Sequence, residues 1–203
     1  GLKPTALPYC LALAAAAAAC HGSWRERAWR LARLAAGGLL GFALTYGWWG
    51  WHLYRSTGNP FFPYLNDVFA SPLALPQAYA DLRFRPGSLL DGLLSPVQLL
   101  ARSRRFSEGG LKDPRLLLGL LGLAALWWQA RRGRFDAPML ARVGMLLCFV
   151  LTGWLLWRFQ YGIYRYAMPM EILGALALVL LLQRLGRWRA PLMLLALLLV
   201  TAE

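Results

Sequence analysis

The sequence predicts an all-α integral membrane protein, a polytopic helical bundle of about six transmembrane helices with a long outer loop containing interfacial amphipathic helices. Three observations predict it. The 203 residues are 59% hydrophobic, with mean hydropathy +0.45, an excess that a soluble domain does not need. Apolar runs recur at about the 20 residues that cross a bilayer core. Clusters of arginine alternate between those runs.

The apolar runs cover 4–20, 32–51, 114–129, 139–157, 166–183 and 190–201. The first and third are short, and the last stops just before Glu203. The first has the apolar core of a signal peptide, but Lys3 is its one basic residue upstream and arginine-rich sequence follows it. It therefore reads as a span. The chain opens on Gly1 and reads as an internal piece of a longer protein. Arg25, Arg27, Arg30 and Arg33 form the first basic loop, Arg131, Arg132, Arg134 and Arg142 the second, and Arg184, Arg187 and Arg189 the third. Alternation puts all three on one side, which the positive-inside rule makes cytoplasmic. The whole of 1–203 is then one partial transmembrane domain, with 52–113 as its extracytoplasmic loop. Trp48, Trp49, Trp51 and Tyr54, with Trp154 and Trp157, fall at the outer interface, and Trp127 and Trp128 at the inner one.

The formal charge of +13 belongs to these loops, so topology explains it better than nucleic acid does. Cys10, Cys20 and Cys148 are far apart and suggest neither a disulfide frame nor a zinc site. Gly37 and Gly41 make a small-xxx-small pattern suited to close helix packing.

Segment 52–113 is too long for a connector and too apolar for a free tail. Pro60, Pro63, Pro72, Pro76, Pro86 and Pro96 divide it into short pieces. Asn59, Pro60, Phe61, Phe62 and Pro63 read as a rigid corner, with Asn59 and Asn66 turning the chain. Arg55 before it and Asp67 after it could fix the turn as an ion pair. Between 87 and 106, Leu89, Leu90, Leu93, Leu94, Val97 and Leu100 repeat at helical spacing. They predict an amphipathic helix in the outer interface or packed over the bundle, with Ser95 and Pro96 as a kink or a second start.

A second dense patch runs from Arg158 through Gln160, Tyr161, Tyr164, Arg165 and Tyr166 to Glu171. Glu171 falls about one turn inside the next span, where carboxylates are costly and need a partner, and Arg165 is the nearest in sequence. Arg158 and Arg165 could grip a phosphate through charge-assisted bonds. Ordinary interfacial snorkelling by arginine and tyrosine accounts for the same residues.

Taken together, the stretch from Thr57 to Pro72 and the stretch Tyr164, Arg165, Tyr166, Ala167, Met168, Pro169 resemble the GT-C superfamily of polytopic glycosyltransferases. More narrowly, they look like bacterial membrane proteins of the mannosyltransferase and dolichyl-phosphate-mannose type. The resemblance covers about a tenth of the chain. It implies a multi-pass protein of the bacterial inner membrane that moves a sugar from a polyprenyl-phosphate donor on the extracytoplasmic face. In such enzymes an acidic residue of the first outer loop acts as base or binds a divalent metal. That loop would lie upstream of Gly1, so no catalytic acid is carried over. The implied substrate contacts are Arg55, Asn59, Asn66, Asp67, Arg158, Gln160, Tyr161, Arg165, Tyr166 and Glu171, with Pro60, Phe61 and Pro63 as the structural corner. A lipid-linked saccharide flippase, an O-antigen-type polymerase or ligase, and a non-catalytic assembly subunit are the competing readings.

Overall fold

A computed structural model describes residues 4–77, 81–101, 104–110 and 112–183. Eight α-helices make up the described fold, and no strand occurs among the described residues: α1 (Leu7–Ala19), α2 (Trp24–Thr57), α3 (Asn66–Phe69), α4 (Leu89–Leu93), α5 (Ser95–Gln98), α6 (Arg115–Gln129), α7 (Ala137–Gln160) and α8 (Met168–Leu182). The all-helical class is as expected. The count of spans is not reproduced: α7 alone among the described helices is both long and apolar enough to cross a membrane. Helices α1, α6 and α8 have 13, 15 and 15 residues. The run 190–201 lies outside the described residues.

Local chemistry sets the helix ends. The 34-residue α2 opens on a capping box in which Ser23 and Glu26 satisfy each other's backbone N–H groups. Arg25, Arg27, Arg30 and Arg33 therefore sit on the helix rather than in the expected loop. It ends at Gly58, whose positive φ of 75° lets its N–H reach the Tyr54 carbonyl. Asp136 caps α7 by accepting from Met139 N–H, and Pro138 and Pro169 occupy early helical positions where no N–H partner is needed.

Helices α1, α6, α7 and α8 pack together. Leu116, Leu123 and Leu126 of α6, Val143, Val150 and Trp157 of α7, and Met170 and Ala177 of α8 are buried in one core. Helices α6 and α8 run parallel, since Arg115 lies beside Glu171, Gly119 against Gly174, and Gly122 against Leu178. The crossing is close enough that a Cβ on Gly119 would stand 2.7 Å from the Gly174 Cα. Helix α1 runs against α7, with Tyr9 and Ala12 lying beside Gly153. Hence the arginines at the start of α2 and those of the α6–α7 turn (Ala130–Arg134) share one end of the bundle, and segment 58–113 lies at the other.

Helix α2 stands apart. At about 1.5 Å per residue it is about 50 Å long, yet Gly50 is its one fully buried residue. Gly37 and Gly41 meet nothing within 4 Å, so the small-residue contact forms at Gly119 and Gly174 instead. The helix expected within 87–106 forms as two short pieces, α4 and α5, with Ser95 and Pro96 making the second start rather than a kink. A proline fits the first turn of a new helix but not the interior of an old one.

Gly119→Ala is expected to force backbones apart and to destabilise the purified protein by roughly 1–3 kcal/mol. Gly41→Ala, in open space, is expected to cost nothing. Thermal unfolding of the two variants side by side checks both, and equal effects would remove the packing argument.

Candidate functional site at the capped end of the bundle

The corner is built by asparagine amides. Asn59 donates from Nδ2 to the Tyr64 carbonyl (2.9 Å) and to Asn66 Oδ1 (3.3 Å), and its Oδ1 accepts from Phe61 N–H (2.8 Å). Asn66 Oδ1 also accepts from Ser71 N–H (2.9 Å), while its Nδ2 faces the carbonyls of Ser71, Ala74 and Leu75 at 3.0–3.1 Å. Both side chains are fully buried. Outside the single turn of α3, residues 59–75 thus pair their backbone groups with two amides, as buried backbone polar groups require. Leu65 and Ala70 take positive φ values of 54° and 49° on either side of α3. The Phe62–Pro63 peptide is cis. Phe61 stacks on Tyr46 at 5.8 Å, and Tyr46 donates to the Pro60 carbonyl at 2.9 Å, so the corner folds back on α2.

Arg55 and Asp67 do not form the expected pair. Arg55 lies 6.0 Å over the Trp51 ring, and Asp67 is exposed on α3.

The described residues of 84–106 are tied to the loop between α7 and α8. Arg158, 1% exposed, donates from Nη1 to the Phe84 carbonyl, lies 3.6 Å from Asp91 and sits 4.9 Å over the Phe106 ring. Gln98 donates to Asp91 at 2.8 Å, and Arg105 joins the same carboxylate. The Gln98 amide, with Gly87 N–H and the two guanidinium charges, outweighs burial and holds the Asp91 carboxyl below its usual range. Arg85 donates to the Gln160 carbonyl at 3.0 Å, Tyr164 N–H to Phe106 at 2.8 Å, and Trp154 to Ser95 at 2.9 Å. Gly162 makes this approach possible: its φ is +66°, and a Cβ there would meet the Phe84 carbonyl at 2.1 Å.

Sequence reasoning missed Asp113, which is 1% exposed. It accepts from Arg115 and from the Tyr164 hydroxyl, and Arg115 also donates to Tyr164 at 3.0 Å. Burial pushes the Asp113 carboxyl up, but the hydrogen bonds from Arg115 and Tyr164 outweigh it and hold the group below the usual carboxylate range. Burial, then the bond to Asp113, pushes the Tyr164 phenol up, so it stays a donor. Glu171 faces Arg115 at 3.7 Å rather than its sequence neighbour Arg165. The one signal in the sequence was a short Asp-Pro-Arg string before an apolar run, which fixes a start but not a partner 51 residues away.

Arg165 is exposed, 5.1 Å over Tyr166. Tyr166 meets Tyr161 edge to face at 5.9 Å, and its carbonyl accepts from the Tyr9 hydroxyl. Among the described residues no group of His, Cys, Asp and Glu could hold a metal ion.

The class this geometry defines is an apolar helical bundle with a polar, cross-linked cap over one end. The chain matches no known protein-family model, no curated protein and no solved structure.

Two outcomes follow for the cap. Asn66→Ala leaves buried backbone groups of residues 71–75 unpaired, at about 1–3 kcal/mol for each group, and limited proteolysis is expected to cut first in that stretch. Asp113 has a depressed native pKa, so its contribution is complete above about pH 4 and lost as pH falls through the native value. Asp113→Asn is therefore expected to be less stable at neutral pH, with a flatter loss on acidification, in denaturation curves taken from pH 7 to pH 3.

Proposed function

We propose that this chain is a membrane-embedded part of a GT-C-type glycosyltransferase, moving a sugar from a polyprenyl-phosphate donor to an acceptor at the capped, extracytoplasmic end of the bundle. The observation that carries the reading is the convergence there of exposed guanidinium groups and tyrosines on an apolar bundle. The membrane half of the proposal is supported by surface chemistry. Leu39, Leu44 and Trp48 of α2 are 70%, 77% and 76% exposed, an apolar area unusual for a soluble monomer. Lipid gives such a surface a matching solvent.

Arg165 is the first candidate for the donor phosphate, since its guanidinium is exposed and braced on Tyr166. Arg115 is the second, held in place by Asp113 with 43% of its side chain exposed. Arg158 moves from ligand to support, because its neighbours are Phe84, Asp91 and Phe106. Asn59 and Asn66 likewise shape the corner, their amides being spent on backbone. Positive charge at the leaving phosphate lowers the barrier to transfer. The group that takes the acceptor proton is left unassigned.

Transport is the weaker alternative. Among the described residues, the buried polar ones, Asn59, Asn66, Ser71, Ser95, Asp113 and Arg158, all lie in or against the cap, whereas the buried positions of α6 and α8 are leucine, glycine, alanine and methionine. The closed Asp113–Arg115–Tyr164 network favours a second reading, a non-catalytic assembly subunit.

In vesicles carrying the full-length protein and a polyprenyl-phosphate sugar, Arg165→Ala is expected to lower transfer by about a hundredfold or more without affecting insertion. Unchanged transfer would sink the phosphate assignment. In a variant whose native cysteines are replaced, Val68→Cys should react with a membrane-impermeant thiol reagent from outside the cell, and Gly133→Cys should not. The reverse pattern would overturn the topology.

A further inference from the structure

The arginines at the opposite end of the bundle are not spent alike. Arg27 donates to the Gly22 carbonyl at 3.1 Å, and Arg30 donates to His21 at 3.1 Å and to Cys20 at 3.2 Å. These carbonyls lie in the turn just beyond α1, so the two side chains close the α1–α2 turn. Arg30 is thereby fixed in position, and its Nε is buried with no hydrogen bond among the described residues. Arg33, one helical turn on, lies 5.0 Å over the Trp29 ring and is exposed. The one acid nearby, Glu26, turns its carboxylate onto Ser23 N–H (2.7 Å) and the Ser23 hydroxyl (3.1 Å).

His21, Gly22, Glu26, Trp29, Arg30 and Arg33 line an open hollow of ≈ 510 Å³. Its charge is predominantly positive, one of its guanidiniums is held in place by backbone and the other by an aromatic face, and its only carboxylate is engaged by the helix cap. Trp29 at its edge is 60% exposed, and α2 continues above it with Leu39 and Leu40 exposed.

We infer that this hollow binds the phosphate headgroup of an anionic phospholipid. Arg30 and Arg33 are spaced three residues apart and so share one helix face; Arg33 offers the open donors for a phosphate, while Arg30, its Nη atoms engaged by Cys20 and His21, adds a fixed positive charge beside it. Tryptophan favours the headgroup level of a bilayer, and the apolar face of α2 above the hollow gives the acyl chains a surface that a free phosphate would not use. Arg131, Arg132 and Arg134 at the same end of the bundle add to the attraction, with Arg132 braced 3.8 Å over Trp128. The inference rests on the membrane half of the proposed function and is independent of sugar transfer.

The test uses the full chain in nanodiscs of phosphatidylcholine with and without phosphatidylglycerol, reading retained lipid by native mass spectrometry and stability by thermal unfolding. Selective retention of phosphatidylglycerol, with a raised unfolding temperature, is expected. Arg33→Ala should lower retention about fivefold, the size of one arginine's contribution near an anionic surface. Arg25→Ala removes the same charge outside the hollow and should change it little. Equal losses in the two variants, or a rise in unfolding temperature with inorganic phosphate alone, would overturn the headgroup site. Incorporation without selective retention overturns it too, whereas failure to enter nanodiscs removes the membrane reading with it.

Discussion

A buried guanidinium needs a counter-charge and acceptors, and that constraint at Arg158, whose Nε has no hydrogen bond among the described residues, organises one end of this molecule. Its charge is 1% exposed at the end of α7. Taking such a group from water costs several kcal/mol unless hydrogen bonds and a counter-charge offset the loss. The Phe84 carbonyl, Asp91 and the face of Phe106 supply them, and each comes from a different part of segment 84–106. One side chain thus gathers a stretch with little regular structure of its own onto the apolar bundle. Gly162 makes the approach physically possible, because any side chain there would strike the same carbonyl.

The second tie, Asp113 with Arg115 and Tyr164, works by the same rule with the charges reversed. A buried carboxylate is tolerated because two donors converge on it, and those donors start α6 and precede α8. The two ties together cross-link segment 84–113, α6, α7 and α8. They leave Arg165 as an exposed guanidinium on the same loop, which is why the proposed phosphate contact shifts from Arg158 toward Arg165 and Arg115. The asparagine pair belongs with the ties. Asn59 and Asn66 replace missing backbone partners in a region divided by prolines, so their value lies in shape.

At the other end the same chemistry leaves a different result. Arg27 and Arg30 close the α1–α2 turn with hydrogen bonds, whereas Arg33 rests on an aromatic ring and remains open to a ligand. A proposed sugar-phosphate site and a proposed lipid-phosphate site would then occupy opposite ends of one bundle. The difference between them follows from what surrounds the guanidiniums: carboxylates and tyrosines at the capped end, tryptophans and an apolar helix at the basic one.

Composition and periodicity by themselves determined the helical class, because apolar runs separated by arginine-rich turns have few other ways to satisfy their backbone. They also located the ends of α6 at 114–129 and the proline near the start of α8, but not the ends of α2, which extends the run 32–51 to Trp24–Thr57. The corner at Asn59 was readable as a turn for the same reason. Partners distant in sequence were not readable. Arg158 with Phe84, Asp113 with Tyr164 and Glu171 with Arg115 are separated by 74, 51 and 56 residues. Local spacing carries no information about which charges meet across a bundle. That choice was made by the packing of α6 against α8, where two glycines let the helices approach and bring Arg115 to Glu171. Only the tertiary structure decided that Arg158 would be support and Arg165 surface, because burial, and not residue type, determines whether a guanidinium still has donors for a ligand.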